Sequence, residues 1–484
     1  MDKINFLNQS TSLALIILIS LIFMFIGLVY SKKFKGLNNY LTANRSVGFF
    51  SLSTSLVASA LGAWMLFGPA SAASWGGIGS VIGYALGTAF PMIFLIFLGK
   101  KIRSEFPQGS TLIQFLKRRF GKSLFKLILL MCVFYMFVFF CAEITAIAIL
   151  INYISGTPLW ITALIVLLCT LTYTLYGGLR ASIFTDTIQS AVILVLLLIS
   201  VVYLNSFFGD QFSFVFIKKE SPHLLSSSYI PNYTSGITFF IAVAATNLFH
   251  QGNWQRVYAA KNYQVLKKSL VISFIVIIPI VLFMGFCGLV AVSVDPKGIP
   301  DLGFFSLLLK DQNEFLSVVI IILGLSLTIS TVDTLINAIS SLVIIDAKTL
   351  LNLKNKTNYL KLSKYFIIAL SIVAFIIASK GFSVLYLFLL ADLFCCAFVL
   401  TVFYSFYNKQ LNEKTAYLSI ILGLIGGFLL FPAPDFSKSL LVGVMFPIEA
   451  FPTFFSQSLL FLSFLVATVG PAIAIMSYDS FKGR

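Results

Sequence analysis

Residues 51–75 read SLSTSLVASALGAWMLFGPASAASW, and their reading decides the fold. The stretch is long and apolar enough to cross a bilayer, yet it holds four serines and a threonine, then Gly62, then Gly68-Pro69. A spanning helix must satisfy its own backbone, so a break at membrane depth is tolerated only beside other protein or a wet cavity. A second stretch has the same character. Residues 239–260, FFIAVAATNLFHQGNWQRVYAA, place Thr246, Asn247, His250, Gln251 and Asn253 around Gly252. Two interrupted helices in corresponding places are the sequence mark of a transport site near the midplane.

Windows of about 20 mostly apolar residues give thirteen candidate spans, the first centred near Ile19 and the last near Leu465. The two interrupted stretches are the second and seventh, five helices apart. An odd number of helices per unit brings the second unit in from the opposite side. The expected fold is therefore all-α and integral to the membrane, with about 13 transmembrane helices. Within it the arithmetic gives a 5+5 inverted repeat, with one extra N-terminal and two extra C-terminal helices. Residues 1–484 read as a single transmembrane domain: a first helix at 11–31, a first repeat at 48–207, a second at 236–407, and the last two helices at 415–477.

Composition agrees. Of 484 residues, 59% are hydrophobic and 10% charged, against about 25% charged in soluble domains. The net charge of +16 invites a nucleic-acid reading. With the N-terminus outside and the C-terminus cytoplasmic, however, 26 of the 33 Lys and Arg fall on the inner side and nine of the 17 acids on the outer. Basic residues collect in cytoplasmic loops, so the charge is a topology signal with lipid head groups as its partner. Lys32 to Arg45, Lys100 to Lys126, Arg180 and Arg256 to Lys268 are among these inner segments. Residues 110–120, STLIQFLKRRF, read as an amphipathic helix along the inner interface. The six cysteines all lie in apolar runs, outside any metal-type CxxC, and read as small buried hydrophobes.

The ninth span, residues 318–346, carries Ser326, Ser330, Asp333, Asn337 and Ser341 on one face, with Thr331 and Thr334 beside them. A carboxylate with adjacent hydroxyls at membrane depth is costly and usually functional. A sodium ion wants several hard oxygens, which hydroxyls and freed carbonyls supply. Glu143 and Asp392 are further intramembrane acids, each weighed against a scaffold role. Asp186 is expected in the first turn of the sixth span, where a helix N-terminus favours a carboxylate.

Three motifs resemble the sodium:solute symporter family, which includes proline, pantothenate, sugar and urea transporters. They are YGGLRASIFTDTIQ at 176–189, the Ser330-Thr331 pair in ISTVDTLINAISS, and GNWQRVYAAK at 252–261. The resemblance covers Ser51 to about Tyr407. It implies the leucine-transporter-like fold and alternating access. It also implies a sodium site made of the carbonyls of Ala58, Leu61 and Leu327 with the side chains of Ser330 and Thr331, and it places Asp186 on the sodium exit route. Proline-type members have an aspartate two residues after the first carbonyl ligand. Here that position is Ala60, and Asp333 is a candidate to restore the negative charge.

The expected function is sodium-coupled symport of a small neutral or zwitterionic solute, such as proline or urea, into the cell across its surrounding membrane. The alternative is a proton-coupled symporter or passive channel of the same fold. Substrate-contact candidates are Ala63, Trp64, Phe67, Glu143, Asn247, His250, Gln251 and Asp333. Na+ is the co-transported ion, with no organic cofactor and no nucleic acid among the partners. No HExxH or nucleophile–base pair appears, so an enzyme is not expected. One sodium ion moving inward gains about 2.3 kcal/mol per 100 mV, enough for roughly 40-fold accumulation of a neutral solute.

Overall fold

The computed structural model describes residues 6–347, 358–408, 410–434, 436, 438–439, 454–455 and 458–482. Among them the chain is helical, apart from two isolated β-bridges, one of which joins Val47 to Ala260. In order, the helices are α1 (Gln9–Ser31), α2 (Leu37–Thr42), α3 (Phe49–Ala60), α4 (Trp64–Glu105), α5 (Leu112–Arg119) and α6 (Lys122–Ser155). Next come α7 (Leu159–Phe208), α8 (Phe214–Glu220), α9 (Ile230–Phe249), α10 (Gln251–Ala259) and α11 (Tyr263–Val294). The last are α12 (Gly303–Leu308), α13 (Glu314–Leu342), α14 (Tyr359–Ala378), α15 (Val384–Tyr404), α16 (Glu413–Leu430) and α17 (Leu459–Lys482). The basic positions Lys348 to Lys356, Lys409 and Arg484 lie outside the described residues.

Ten of these helices are long and apolar enough to cross a membrane, which makes this a multi-pass membrane protein. Thirteen apolar windows become ten helices for two reasons. First, windows merge: α4 and α7 each run through a kink, at Gly77 (φ 63, ψ −160) and Gly178 (φ 60, ψ −154). Those dihedrals belong to a region open essentially to glycine alone. Second, the two interrupted stretches are broken into α3 plus the start of α4, and α9 plus α10.

The first break is sharper than the sequence suggests. α3 stops at Ala60, Leu61 adopts φ −104 and ψ 89, and α4 begins at Trp64. The hydroxyls of Ser53 and Thr54 bond back to the carbonyls of Phe49 and Phe50, which weakens helix propagation here. Gly68-Pro69 does not interrupt the chain; Pro69 sits within α4. The second break falls at His250 (φ −60, ψ 106).

α13 runs through the interior, with 83% of its apolar window buried, whereas α14 buries only 22% and faces outward. α4 packs on α9 and α11, and α13 packs on α6 and α7. α5 forms where expected, opened by a Thr111/Gln114 capping box. Its apolar side, Leu112, Ile113, Phe115 and Leu116, is buried against protein, and α6 is one of its neighbours. The arginines of the basic segments close loops by donating to carbonyls: Arg45 to Gly109 (2.7 Å), Arg103 to Val257 (2.7 Å) and Arg119 to Asn408 (2.7 Å). Arg256 departs from this pattern. The charge pattern puts it in an inner loop segment, yet it is wholly buried.

Candidate functional site

Both breaks face one cavity. Its walls are Ser59 and Ala60 at the end of α3, Trp64 and Tyr84 on α4, and Phe139 on α6. Val243, Thr246 and Asn247 on α9, His250 at the break, Thr331 on α13, and Phe388 and Asp392 on α15 complete it. Its free space is about 30 Å³, room for roughly one water molecule. A solute larger than water enters this space only when the walls part. Four of the walls are aromatic rings, those of Trp64, Tyr84, Phe139 and Phe388. Trp64 stacks on Tyr84 (centroids 5.7 Å apart) and Phe139 meets Phe388 edge-on (4.5 Å). The one acid of the lining is Asp392, whose Oδ1 accepts from Thr246 at 2.6 Å. No Lys or Arg is among the lining residues. A larger cleft of about 720 Å³, walled by Phe94, Phe97, Leu400 and Met476 among others, is almost wholly apolar and suits lipid tails better than a polar solute.

Beside the cavity lies a buried polar layer. Asp186 accepts from Ser55 on α3 (2.5 Å), Ser330 on α13 (2.6 Å) and Arg256 on α10 (2.7 Å). Asp186 and Arg256 have no exposed side-chain surface. Arg256 also donates to Ser55 (2.7 Å), Thr334 (2.9 Å) and the Gly252 carbonyl (3.1 Å). Asp186 therefore does not sit in the first turn of a helix. The segment after the Gly178 kink begins well before it, and what holds its charge is a guanidinium and two hydroxyls. Asp333 accepts from Tyr173 (2.5 Å), Ser182 (2.7 Å) and Thr185 (3.2 Å).

Two of the expected sodium ligands, Ser330 and Thr331, fall between these two regions. Thr331 lines the cavity with Ala60, and its hydroxyl donates to the Leu327 carbonyl at 3.1 Å. Ser330, its neighbour, reaches Asp186. Ser55 and Ala58 are three residues apart in α3, so one turn joins the Asp186 contact to an expected carbonyl ligand. Leu61 stands at the non-helical end of α3.

The expected solute contacts separate. Trp64, Asn247 and His250 line the cavity; Ala63, Phe67, Glu143, Gln251 and Asp333 do not. Gln251 joins the closure at the basic end of the molecule, donating to the Ser110 carbonyl (3.0 Å) and Ser341 (3.2 Å). Thr111 donates to Asp346 there at 2.9 Å. Phe67 packs edge-on against Phe305 (5.0 Å), and nearby on α4 Ser71 donates to Asp301 (2.6 Å). Glu143 accepts from the backbone N–H groups of Ala63 (2.8 Å) and Trp64 (3.4 Å). Tyr84, Phe139 and Phe388 have no signal in the sequence, whereas Thr246 belongs to the polar set read at the second break. With 51 phenylalanines in the chain, nothing in the sequence marks out the two that face the cavity.

A cavity between two broken helices, flanked by buried acids and hydroxyls, defines a membrane transporter. The family model described as "Sodium:solute symporter family" matches residues 40–423, and this chain belongs to that family. Among curated relatives, the chain is similar to "Spermidine transporter DUR31" of Candida albicans, 26% identical over 78% of this chain and 71% of that one. It is similar also to "Sodium/glucose cotransporter 1" of Mus musculus, 28% identical over 39% of this chain and 29% of that one. The chain thus spans under a third of that cotransporter's length. In fold it resembles a Na+-coupled sialic acid symporter in a substrate-bound outward-open state (TM-score 0.72, 17% identity, 96% of this chain and 97% of that one). It also resembles a closed, ligand-bound nucleobase-cation-symport-1 family transporter (TM-score 0.53, 15% identity, 92% of this chain and 96% of that one). These neighbours have the leucine-transporter-like fold expected from sequence.

Proposed function

We propose that this protein is a sodium-coupled importer of a small organic solute carrying a positively charged nitrogen, working by alternating access. That class includes the zwitterionic amino acids expected from sequence and the polyamine named for the Candida albicans relative. Urea, uncharged, is the weaker fit. One observation carries the reading. Both helix breaks and Thr331 meet at a cavity whose lining has one carboxylate, several aromatic faces and no Lys or Arg. Cations bind well against aromatic faces, and more so when water is excluded.

The sodium site is the carbonyls of Ala58, Leu61 and Leu327 with the hydroxyls of Ser330 and Thr331. Sodium held there ties α3 to α13 and so closes the gap between the first broken helix and its neighbour. Asp186, bonded to Ser330, is the next oxygen on the way out. Thirteen crossings with a 5+5 repeat follow if α7 crosses twice about Gly178 and each interrupted pair crosses once. The basic end is then cytoplasmic, in the membrane bounding the cell.

The test is uptake into proteoliposomes. Inward sodium should drive accumulation of an amine or amino acid from a panel of such solutes. Equal uptake with sodium absent from both sides would refute the coupling. Proton coupling is the second reading. It is favoured by Asp333, whose side-chain hydrogen-bond donors among the described residues are all hydroxyls. A pH step that drives uptake without sodium would establish it.

A further inference from the structure

A helix that begins inside a membrane protein offers its first N–H groups, and the positive end of its dipole, to an anion. In transporters with broken helices, this is a place for the anionic group of a solute. In this protein the place is filled from within. The Glu143 carboxylate, fully buried on α6, accepts from Ala63 N–H at 2.8 Å and Trp64 N–H at 3.4 Å, at the start of α4. Gly62 makes the approach possible: a Cβ there would lie 2.3 Å from Glu143 Oε1 and 2.9 Å from its Cδ. The bare glycine and the distant glutamate form one device.

On the cavity side the groups have the opposite preference. Asp392 offers a carboxylate, with Thr246 as its hydrogen-bond donor. His250, only 6% exposed, lines the same space, and its Nδ1 has no hydrogen-bond partner. Trp64, Tyr84, Phe139 and Phe388 present rings.

We infer that Glu143 stands in for a solute carboxylate, so that the cavity accepts a cationic amine without a carboxylate and rejects the amino acid bearing the same amine. This deepens the proposed function and rests on its placing of the solute in this cavity. An ammonium group finds the Asp392 carboxylate and the aromatic faces. A carboxylate on the same solute finds the α4 N–H groups engaged and meets Asp392 as a like charge. Specificity here is built by a repulsive element as well as an attractive one.

The experiment uses probe pairs that differ by one carboxyl group: putrescine with L-ornithine, and pyrrolidine with L-proline. The full-length protein is reconstituted in proteoliposomes, and uptake of each probe is measured with and without inward sodium. Binding in detergent is read in parallel by thermal stabilisation. The amine of each pair should bind more tightly than its amino acid by about a hundredfold, the cost of a buried charge left without a partner. Glu143→Gln keeps the shape and removes the anion, so it should narrow that gap by about tenfold. Asp392→Asn should weaken binding of both amines. An amino acid bound as well as its amine overturns the inference, and sodium-driven uptake of that amino acid would at the same time leave the symporter reading standing. Amine selectivity without sodium dependence upholds the inference and removes the coupling. Failure of the wild-type protein to bind either member of both pairs also overturns it. The wild-type comparison decides the matter even if Glu143→Gln does not fold.

Discussion

Replacing Arg256 by methionine keeps an unbranched apolar stem and removes the cation on which four helical segments converge. The guanidinium donates to Asp186 on α7, Ser55 on α3, Thr334 on α13 and the Gly252 carbonyl on its own α10. The ion pair has no exposed surface. Removing one partner of such a pair leaves the other as an uncompensated buried charge, which costs about 3–5 kcal/mol. Asp186→Asn makes the same error from the other side, stranding the guanidinium at similar cost. The double variant strands no charge. Its loss should therefore fall short of the sum of the two single losses, by a coupling energy of about 3 kcal/mol. Unfolding of purified protein in detergent, followed by size-exclusion after heating, reads all four corners of this cycle. Each single variant should melt well below wild type, and the double variant should melt no lower than the worse single. Two outcomes would refute the reasoning: single variants that melt with wild type, or losses that simply add.

Thr331→Val preserves shape and removes one expected sodium oxygen, so the sodium concentration for half-maximal uptake should rise about tenfold; sodium titration of uptake checks it. Gly178→Ala forces a Cβ into a backbone of φ +60, 2.5 Å from the Tyr40 ring, and should destabilise by about 1–3 kcal/mol, seen as a lower melting point. Asp346→Asn weakens the Thr111 contact that helps close the basic end. If that end is cytoplasmic, a cysteine placed at Ser110 in this variant should react faster with a thiol reagent supplied from the inner side than in the wild-type background. An unchanged rate argues that the contact does not latch the gate. A cationic solute entering with sodium carries more charge per solute than a neutral one. Current divided by solute flux should be about two charges per monoamine when one sodium accompanies it, and a ratio of one would exclude entry of a cationic solute together with sodium.

Much of the fold was legible because the bilayer restricts the chain to few solutions. Apolar windows, basic segments and two interrupted helices follow from composition and spacing alone. The merging of windows at Gly77 and Gly178 was less legible, because a glycine in an apolar run does not reveal whether its φ is positive. The breaks were found, but their exact places needed coordinates. Gly68-Pro69 resembles a stop signal and is carried inside α4, where the surrounding buried helix tolerates it. Glu143 was suspected as a solute contact on cost alone. Its role at the start of α4 depends on a meeting of residues 80 apart in sequence.

The sequence by itself determined that this chain is a many-helix membrane transporter with two broken helices and a hydroxyl pair suited to sodium. These properties are written in local pattern, since hydropathy, backbone satisfaction and short motifs are read along the chain. Only the tertiary structure decided which acids share a site. Asp186 is bonded to Arg256, Asp333 is held by hydroxyls, Glu143 caps a helix start, and Asp392 alone among them lines the cavity. The physical reason is that a buried charge is defined by its partners, and in this fold those partners come from helices far away in the sequence.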